Sequence, residues 1–454
     1  MTRQTLLIAL AQLFATSLWF SANISGASPE VLGQLTIAVQ AGFIFGTLLF
    51  SFGGLADRFS PSKIFAVSAC LGGLFNLLFT LSDDSLPLQL VCRVLVGLSL
   101  AGVYPIGMKL AVGWAPGRAG QTLGLLVGML TLGTALPMGV HALGDDAEWQ
   151  SAVLLSSVLA VVAAGMILIV GDPPKPSAAT PSNFSRAPSP PPDPGGFFRA
   201  FKLPKFRATA FAYFGHMWEL YAFWTLVPLL VASALAGSAY EAPHFTWGLS
   251  FTVVAVGLLG CIVGGAITKA LGSERVAGAS LAVSGAMCLL YPLLTDAPLA
   301  VRILALLVWG GAVIADSPQF SALAARHCPP ALVGSSLALQ TSIGFAVTIV
   351  SILIATKAYA VLGDKVAWLL LPGPILGLFA LRSIWFTPFE EILPPLAPTD
   401  AAVEDGKKGR MEWYRKKALK ARERAFRIDD AETRKGLLDV AEDWERLAKD
   451  VERE

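Results

Sequence analysis

Residues 1–399 carry only 36 charged side chains, while the last 55 residues carry 30. A water-soluble protein of this size needs a charged surface, so the first part of the chain must present its outside to lipid. At about 20 apolar residues per crossing, twelve helical spans fit. Their approximate limits are 4–24, 33–53, 64–82, 87–111, 121–142 and 150–170, then 207–235, 246–270, 276–294, 299–325, 334–358 and 366–388. The net charge of +2 matters less than this partition. Cys70, Cys92, Cys261, Cys288 and Cys328 are scattered through apolar segments without CxxC spacing. They read as buried packing residues, and no metal, disulfide or cofactor is expected.

The apolar part is written twice. Gly53-Gly54 recurs as Gly264-Gly265, Gly97 with Pro105 as Gly310 with Pro318, and Pro116 with Gly120 as Pro330 with Gly334. Ordered matches at nearly constant offset predict two parallel six-helix repeats, one way in which alternating-access carriers are built, with the site at the midplane between them. The expected domains are a first bundle, 1–170, a linker, 171–206, a second bundle, 207–390, and a charged helical tail, 391–454.

Basic residues predict the orientation. Arg3, Arg58, Lys63, Arg118, Lys269, Arg275 and Arg326 flank one side, and acids such as Glu30, Asp145, Glu241 and Asp296 the other. Both termini are therefore expected in the cytoplasm. Nine prolines within 171–200 preclude a packed core there. Phe197 to Arg207 interleaves aromatics with bases and reads as a headgroup anchor. In the tail, 407–427 holds ten bases and two acids, and 429–454 ten acids and five bases. Two antiparallel helices would pair them; anionic lipid or a cytoplasmic protein is the alternative partner of the basic stretch. Leu437, Ala441, Trp444, Ala448 and Val451 mark the apolar face.

The loop Gly53-Gly54-Leu55-Ala56-Asp57-Arg58 resembles the signature that joins spans two and three in the major facilitator superfamily. The resemblance covers residues 1 to about 390. It implies an all-α integral membrane fold of twelve helices in two six-helix bundles, with Gly53, Asp57 and Arg58 gating the cytoplasmic side. Ser60-Pro61-Ser62 stand where the family has glycine and bases, and Thr268-Lys269 replaces Asp-Arg in the second repeat. Arg93 with Gly97, Ala101 and Gly102 resembles the family's fourth-span motif. Gly120, Gly124 and Gly128 resemble the fifth-span motif of drug exporters with the spacing displaced, and read as close helix packing.

An arginine in hydrocarbon costs about 2.5–3.5 kcal/mol on insertion scales, so Arg93 needs a partner, an aqueous cavity or an interface to snorkel to. Near the outer end of its span, Arg302 is expected to snorkel. Glu219 lies at the centre of span seven, three residues from His216 and on its face; Asp316 precedes the Pro318 break. Carboxylates in low dielectric can take a proton near neutrality, so Glu219, Asp316 and His216 are the candidate proton-coupling residues. A permanent pair of Glu219 with His216 or a base is the structural alternative. Arg93, Asn23, Gln40, Tyr104, Trp218, Tyr221 and Gln319 are the candidate substrate contacts, and His141 a mouth residue.

No GxxxxGK(S/T), HExxH, GxSxG or GxGxxG is present, which argues against an ATP-driven motor or an enzyme. The expected function is proton-coupled transport of a small polar solute, an organic anion or metabolite, across a bacterial inner membrane. The partners are substrate, protons and lipid, not nucleic acid. A proton-linked exporter of amphipathic compounds and a carrier-fold sensor acting through its tail are the alternatives.

Overall fold

The structure is a computed structural model and describes residues 2–54, 58–82, 85–115, 119–144, 149–174, 196–328, 333–385, 406–426 and 431–453. In chain order the first repeat comprises α1 (Arg3–Thr16), α2 (Pro29–Gly53), α3 (Pro61–Thr80), α4 (Leu86–Leu100), α5 (Tyr104–Trp114), α6 (Ala119–Ala142) and α7 (Trp149–Val170). After the short α8 (Gly196–Phe201), the second comprises α9 (Pro204–Leu235), α10 (Pro243–Ala255), α11 (Gly257–Leu271), α12 (Ser273–Leu290), α13 (Leu299–Ala315), α14 (Ser317–His327), α15 (Val333–Leu362) and α16 (Pro372–Trp385). The tail holds α17 (Gly406–Phe426) and α18 (Ala431–Arg453). Ten stretches of the described residues are long and apolar enough to cross a membrane; one of them, Ser336–Trp385, contains both α15 and α16. The α1 segment is too short by itself and is followed by a single-turn 3-10 helix, Ser21–Ile24.

The expected duplication is visible as a repeated backbone contact. A methyl group added at Gly97 of α4 would overlap the Val39 carbonyl of α2, and one at Gly310 of α13 would overlap the Val253 carbonyl of α10. Gly46 likewise packs against Leu98 and Ala101, as Gly260 does against Gly311 and Ala315. Only glycine lets two helix backbones come this close. Spans four and ten are also interrupted at matching places, each followed by a helix with proline in its first turn. The α4/α5 break falls before Pro105, and the α13/α14 break falls at Asp316, before Pro318.

The repeats meet along α2 with α15 and along α6 with α10 and α11. Gly33 lies against Thr356, Gly128 against Leu258 and Gly139 against Phe251. His141, expected at a mouth, sits edge-on to Trp247 at 5.3 Å between ring centroids. These contacts close the molecule at the end where α6 finishes and α10 begins.

Contacts divide the chain into Met1–Phe386 and Thr387–Glu454, so both repeats fall in one unit and the tail in another. Within the tail, Arg415 pairs with Glu452 at 3.1 Å and Arg422 with Glu445 at 2.8 Å. A step of two turns forward on α17 is a step of two turns back on α18, which is the register of an antiparallel hairpin. Ala418, Ala421, Ala425, Ala441, Trp444, Ala448 and Val451 are buried. Tyr414 stacks on Trp444 at 5.7 Å.

Candidate functional site

Span seven is the α9 helix, 32 residues long and buried on most of its surface. At about 1.5 Å per residue it is longer than a bilayer core requires, and Glu219 falls at its centre, 1% exposed. The Glu219 carboxylate accepts from three neutral donors on two other spans. Trp309 Nε1 donates to Oε1 at 2.6 Å, Cys288 Sγ to Oε1 at 3.3 Å, and Ser284 Oγ to Oε2 at 2.9 Å. Trp309 is oriented for this by stacking on Phe223, 4.3 Å between centroids. No base touches Glu219 among the described contacts, and His216 is not its partner. A shared helix face brings two side chains near each other but does not pair them.

His216 instead meets Asp316, with Nδ1 2.9 Å from Oδ1 and both side chains 1% exposed. The approach is off line for a hydrogen bond, so neither ring nitrogen and neither carboxylate oxygen has an aligned side-chain partner among the described residues. Asp316 sits in the α13/α14 break because the chain cannot continue helically into Pro318 with all its hydrogen bonds intact. The Phe320 ring lies 5.6 Å from the His216 ring, tilted against it.

Arg93 is fully buried, and its Nη donors are taken by its own repeat, while Nε has no partner among the described residues. Nη1 donates to Asn76 Oδ1 at 2.9 Å and Ser21 Oγ at 3.2 Å; Nη2 donates to the carbonyls of Trp19 at 2.6 Å and Leu18 at 3.0 Å. Those carbonyls are exposed to the guanidinium because helix α1 ends at Thr16. Arg93 thus neither snorkels nor presents a free guanidinium; it fixes the turn that carries Trp19. Arg302, expected to snorkel, is also paired. Its Nη2 lies 2.7 Å from Asp364 Oδ2, and both Nη atoms reach Ser233. A buried guanidinium with an acid within reach gains more from that pair than from a stretched path to water.

Between the repeats lies an aromatic cluster. The Trp19 ring is 4.9 Å from Phe43, 5.7 Å from Tyr221 and 5.7 Å from Phe345. Tyr221 is 5.3 Å from Trp224 and 5.2 Å from Phe345. Gln40 lies one turn from Phe43 on the same face of α2, fully buried.

The model of the Major Facilitator Superfamily matches residues 2–352. The chain belongs to this superfamily. It is 33% identical over 113 residues to YfiU of Bacillus subtilis (strain 168), an uncharacterised MFS-type transporter; the match spans 24% of this chain and 22% of that one. Two solved structures share its fold at 13% identity. The nucleoside transporter NupG is matched with a TM-score of 0.60 over 84% of this chain and 98% of its own. The proton:xylose symporter XylE is matched with a TM-score of 0.62 over 85% and 95%. The protein is therefore an integral membrane protein of the major facilitator type, and the chain spans less than a quarter of the length of the curated relative it matches.

Of the superfamily loop, Gly53 ends α2, and Gly54 caps it in the left-handed region at φ 60°. Arg58 is exposed; Asp57 lies outside the described residues, as do Pro116 and Pro330. Ser60 and Ser62, the departure from the family signature, have a use of their own. Ser60 Oγ donates to Asp172 Oδ2, and the Ser62 N–H to Asp172 Oδ1 at 2.8 Å. The acid at the end of span six thereby caps the N-terminus of span three. Burial pushes the Asp172 carboxyl up, but the bonds from Ser60 and Ser62 and the charge of Lys63 outweigh it and hold the carboxyl below its usual range.

The remaining candidates divide. Tyr221 reaches the boundary between the repeats, and Gln40 lies buried one turn from Phe43, whose ring meets Phe345 of the second repeat. Asn23 Nδ2 donates to Thr36 at 3.0 Å, and Tyr104 opens the helix after the fourth-span break. Trp218 Nε1 donates to the Leu369 carbonyl at 2.9 Å and Gln319 Oε1 accepts from Thr268 at 3.0 Å, so both tie the second repeat together. Of the donors to Glu219, Ser284 carried no signal in the sequence and Cys288 read as packing, while Trp309 stood among the aromatics expected around the buried acids without a role of its own. Among the cysteines, Cys70 is exposed rather than buried.

Proposed function

We propose that the protein is a proton-coupled secondary carrier of a small polar solute, working by alternating access with both termini cytoplasmic. Glu219 binds the proton, and Asp316 with His216 are the further proton-coupling residues. One observation carries this reading: the surroundings of Glu219 accommodate both of its protonation states. When the carboxylate is ionised, Ser284 donates to it. When it is neutral, the Ser284 hydroxyl can turn to the Leu281 carbonyl, 3.3 Å away, and accept the carboxyl proton. Neither state strands a buried polar atom at Oε2. A purely structural acid would instead be expected to hold a fixed positive partner. The name of the proton:xylose symporter adds a precedent within the same fold.

The anionic substrate expected from Arg93 is not carried forward, because that guanidinium is committed to Leu18, Trp19, Ser21 and Asn76. Gly53, Asp57 and Arg58 are assigned to the gate at the end bearing the termini. In proteoliposomes, Glu219→Gln should keep solute exchange without a gradient and lose uphill accumulation. Solute-driven pH changes that survive in both the Glu219→Gln and Asp316→Asn proteins would remove these acids from the mechanism.

A further inference from the structure

The aromatic cluster between the repeats contains polar atoms that the protein itself does not satisfy. Trp19 Nε1, Trp224 Nε1 and both amide atoms of Gln40 are buried and have no hydrogen-bond partner among the described residues. All three side chains are fully buried. Such groups are costly to maintain, and their cost is recovered when something arrives to bond them. They are also grouped. Trp19 touches Phe43, Tyr221 and Phe345, Trp224 touches Tyr221, and Gln40 lies a turn from Phe43. The first repeat supplies Trp19, Gln40 and Phe43; the second supplies Tyr221, Trp224 and Phe345. A solute held here would contact both halves.

From this chemistry we infer the substrate class: an uncharged solute with a flat ring bearing hydrogen-bond acceptors. The inference rests on the carrier reading above and gives its site a chemistry. Ring faces suit a flat apolar surface, and two indole N–H groups with one amide NH₂ require acceptors, while the Gln40 oxygen can take one donor. Charge argues in the same direction. The two buried guanidinium groups are already engaged, Arg93 by backbone and Asn76, Arg302 by Asp364. An anion would therefore meet aromatic faces with no free guanidinium fork to receive it, since both Nη atoms of Arg93 are held by neutral acceptors. A cation would gain from those faces but would confront three N–H donors and leave them unbonded.

The test uses the full chain in lipid nanodiscs and ring-matched probes that differ in charge: nicotinamide, nicotinate and 1-methylnicotinamide, with uracil and orotate as a second series. Equilibrium dialysis reads affinity, and thermal shift reads stability. The neutral member of each series should bind at least about tenfold more tightly than its charged relatives. Trp224→Phe keeps the ring and removes the N–H; Gln40→Leu removes the amide. Each should weaken neutral-probe binding by about three- to tenfold, while the melting temperature of the ligand-free protein stays level or rises, because an unsatisfied buried group has been removed. Residues that merely pack would give the opposite pattern, a lower melting temperature with binding unchanged. Equal or tighter binding of the charged probes overturns the inference, and so does failure of every neutral probe to bind at millimolar concentration. Binding is read without a gradient, so it is independent of the carrier reading. Neutral-probe binding with no solute-driven proton movement would sink proton coupling alone; proton movement driven by an anion would sink this inference alone.

Discussion

Replacing Gly97 or Gly310 with alanine places a methyl group where the carbonyl of Val39 or Val253 already lies. The obstacle in each case is the backbone of a facing helix, which cannot rotate aside as a side chain can, so the two helices must move apart. Overpacking of this kind costs about 1–3 kcal/mol. Alanine also gains about 1 kcal/mol over glycine inside a helix, and this gain must be removed before the steric cost can be read. Gly165 and Gly265 provide the controls, since an added methyl meets nothing within 4 Å at either. Propensity is common to all four positions and cancels in the comparison. Gly97→Ala and Gly310→Ala should therefore each be less stable than the matching control by about 1–3 kcal/mol. The two penalties should be of similar size and close to additive, because the contacts lie in different repeats. Denaturant titration of the purified protein measures all four variants and the double mutant. If Gly97→Ala is as stable as Gly165→Ala, or if only one of the paired positions is sensitive, the repeated contact does not have the energetic role given to it here.

Arg93→Lys keeps the charge but cannot reach the Leu18 and Trp19 carbonyls together with Asn76 and Ser21. It should lose at least the worth of one charge-assisted hydrogen bond, about 1.5–3 kcal/mol, with little change in solute affinity; a large affinity loss at unchanged stability would return Arg93 to substrate binding. Asp172→Asn should lower the melting temperature at pH 6. Because the folded carboxyl titrates below its ordinary value of about 3.9, its stabilisation is complete above that pH and lost as pH falls through the folded value. The gap between the two proteins should thus close in acid, and a gap that widens refutes the capping role. Asp57→Asn should slow cycling and leave solute affinity unchanged, measured by transport and binding in parallel; unaltered transport removes the loop from the gate.

The duplication was legible because its markers are backbone requirements. Gly97 and Gly310 admit no other residue where helices touch, and proline after a span break announces itself in one dimension. The ionisable residues were legible as a set for a related reason, since a charge in an apolar run is conspicuous. Their partners were not. His216 and Glu219 share a face, yet one meets Asp316 and the other Trp309, Ser284 and Cys288, because neighbours on other helices decide which groups pair. Trp218 and Tyr221, three residues apart, diverge in the same way: one anchors the second repeat and the other faces the first. Asp172 was hidden among the linker residues, and its bond to Ser60 spans 112 positions in sequence. Salt pairing in the tail could be read because two helices of opposite charge separated by only four residues in sequence leave few possible registers.

The acids of the proposed relay, with His216, all lie in the second repeat, whereas Arg93 in the first is held by carbonyls and side chains of its own repeat. If Glu219 carries the proton, the two similar scaffolds serve different ends, one for rigidity and one for titration. For a proton carried on Glu219, the charge displaced in the conformational step is set by how far the second half carries that residue through the membrane's electric field. Voltage dependence would then reside in one half of a molecule whose two halves look alike, and the other half would act as the electrically silent frame against which it moves.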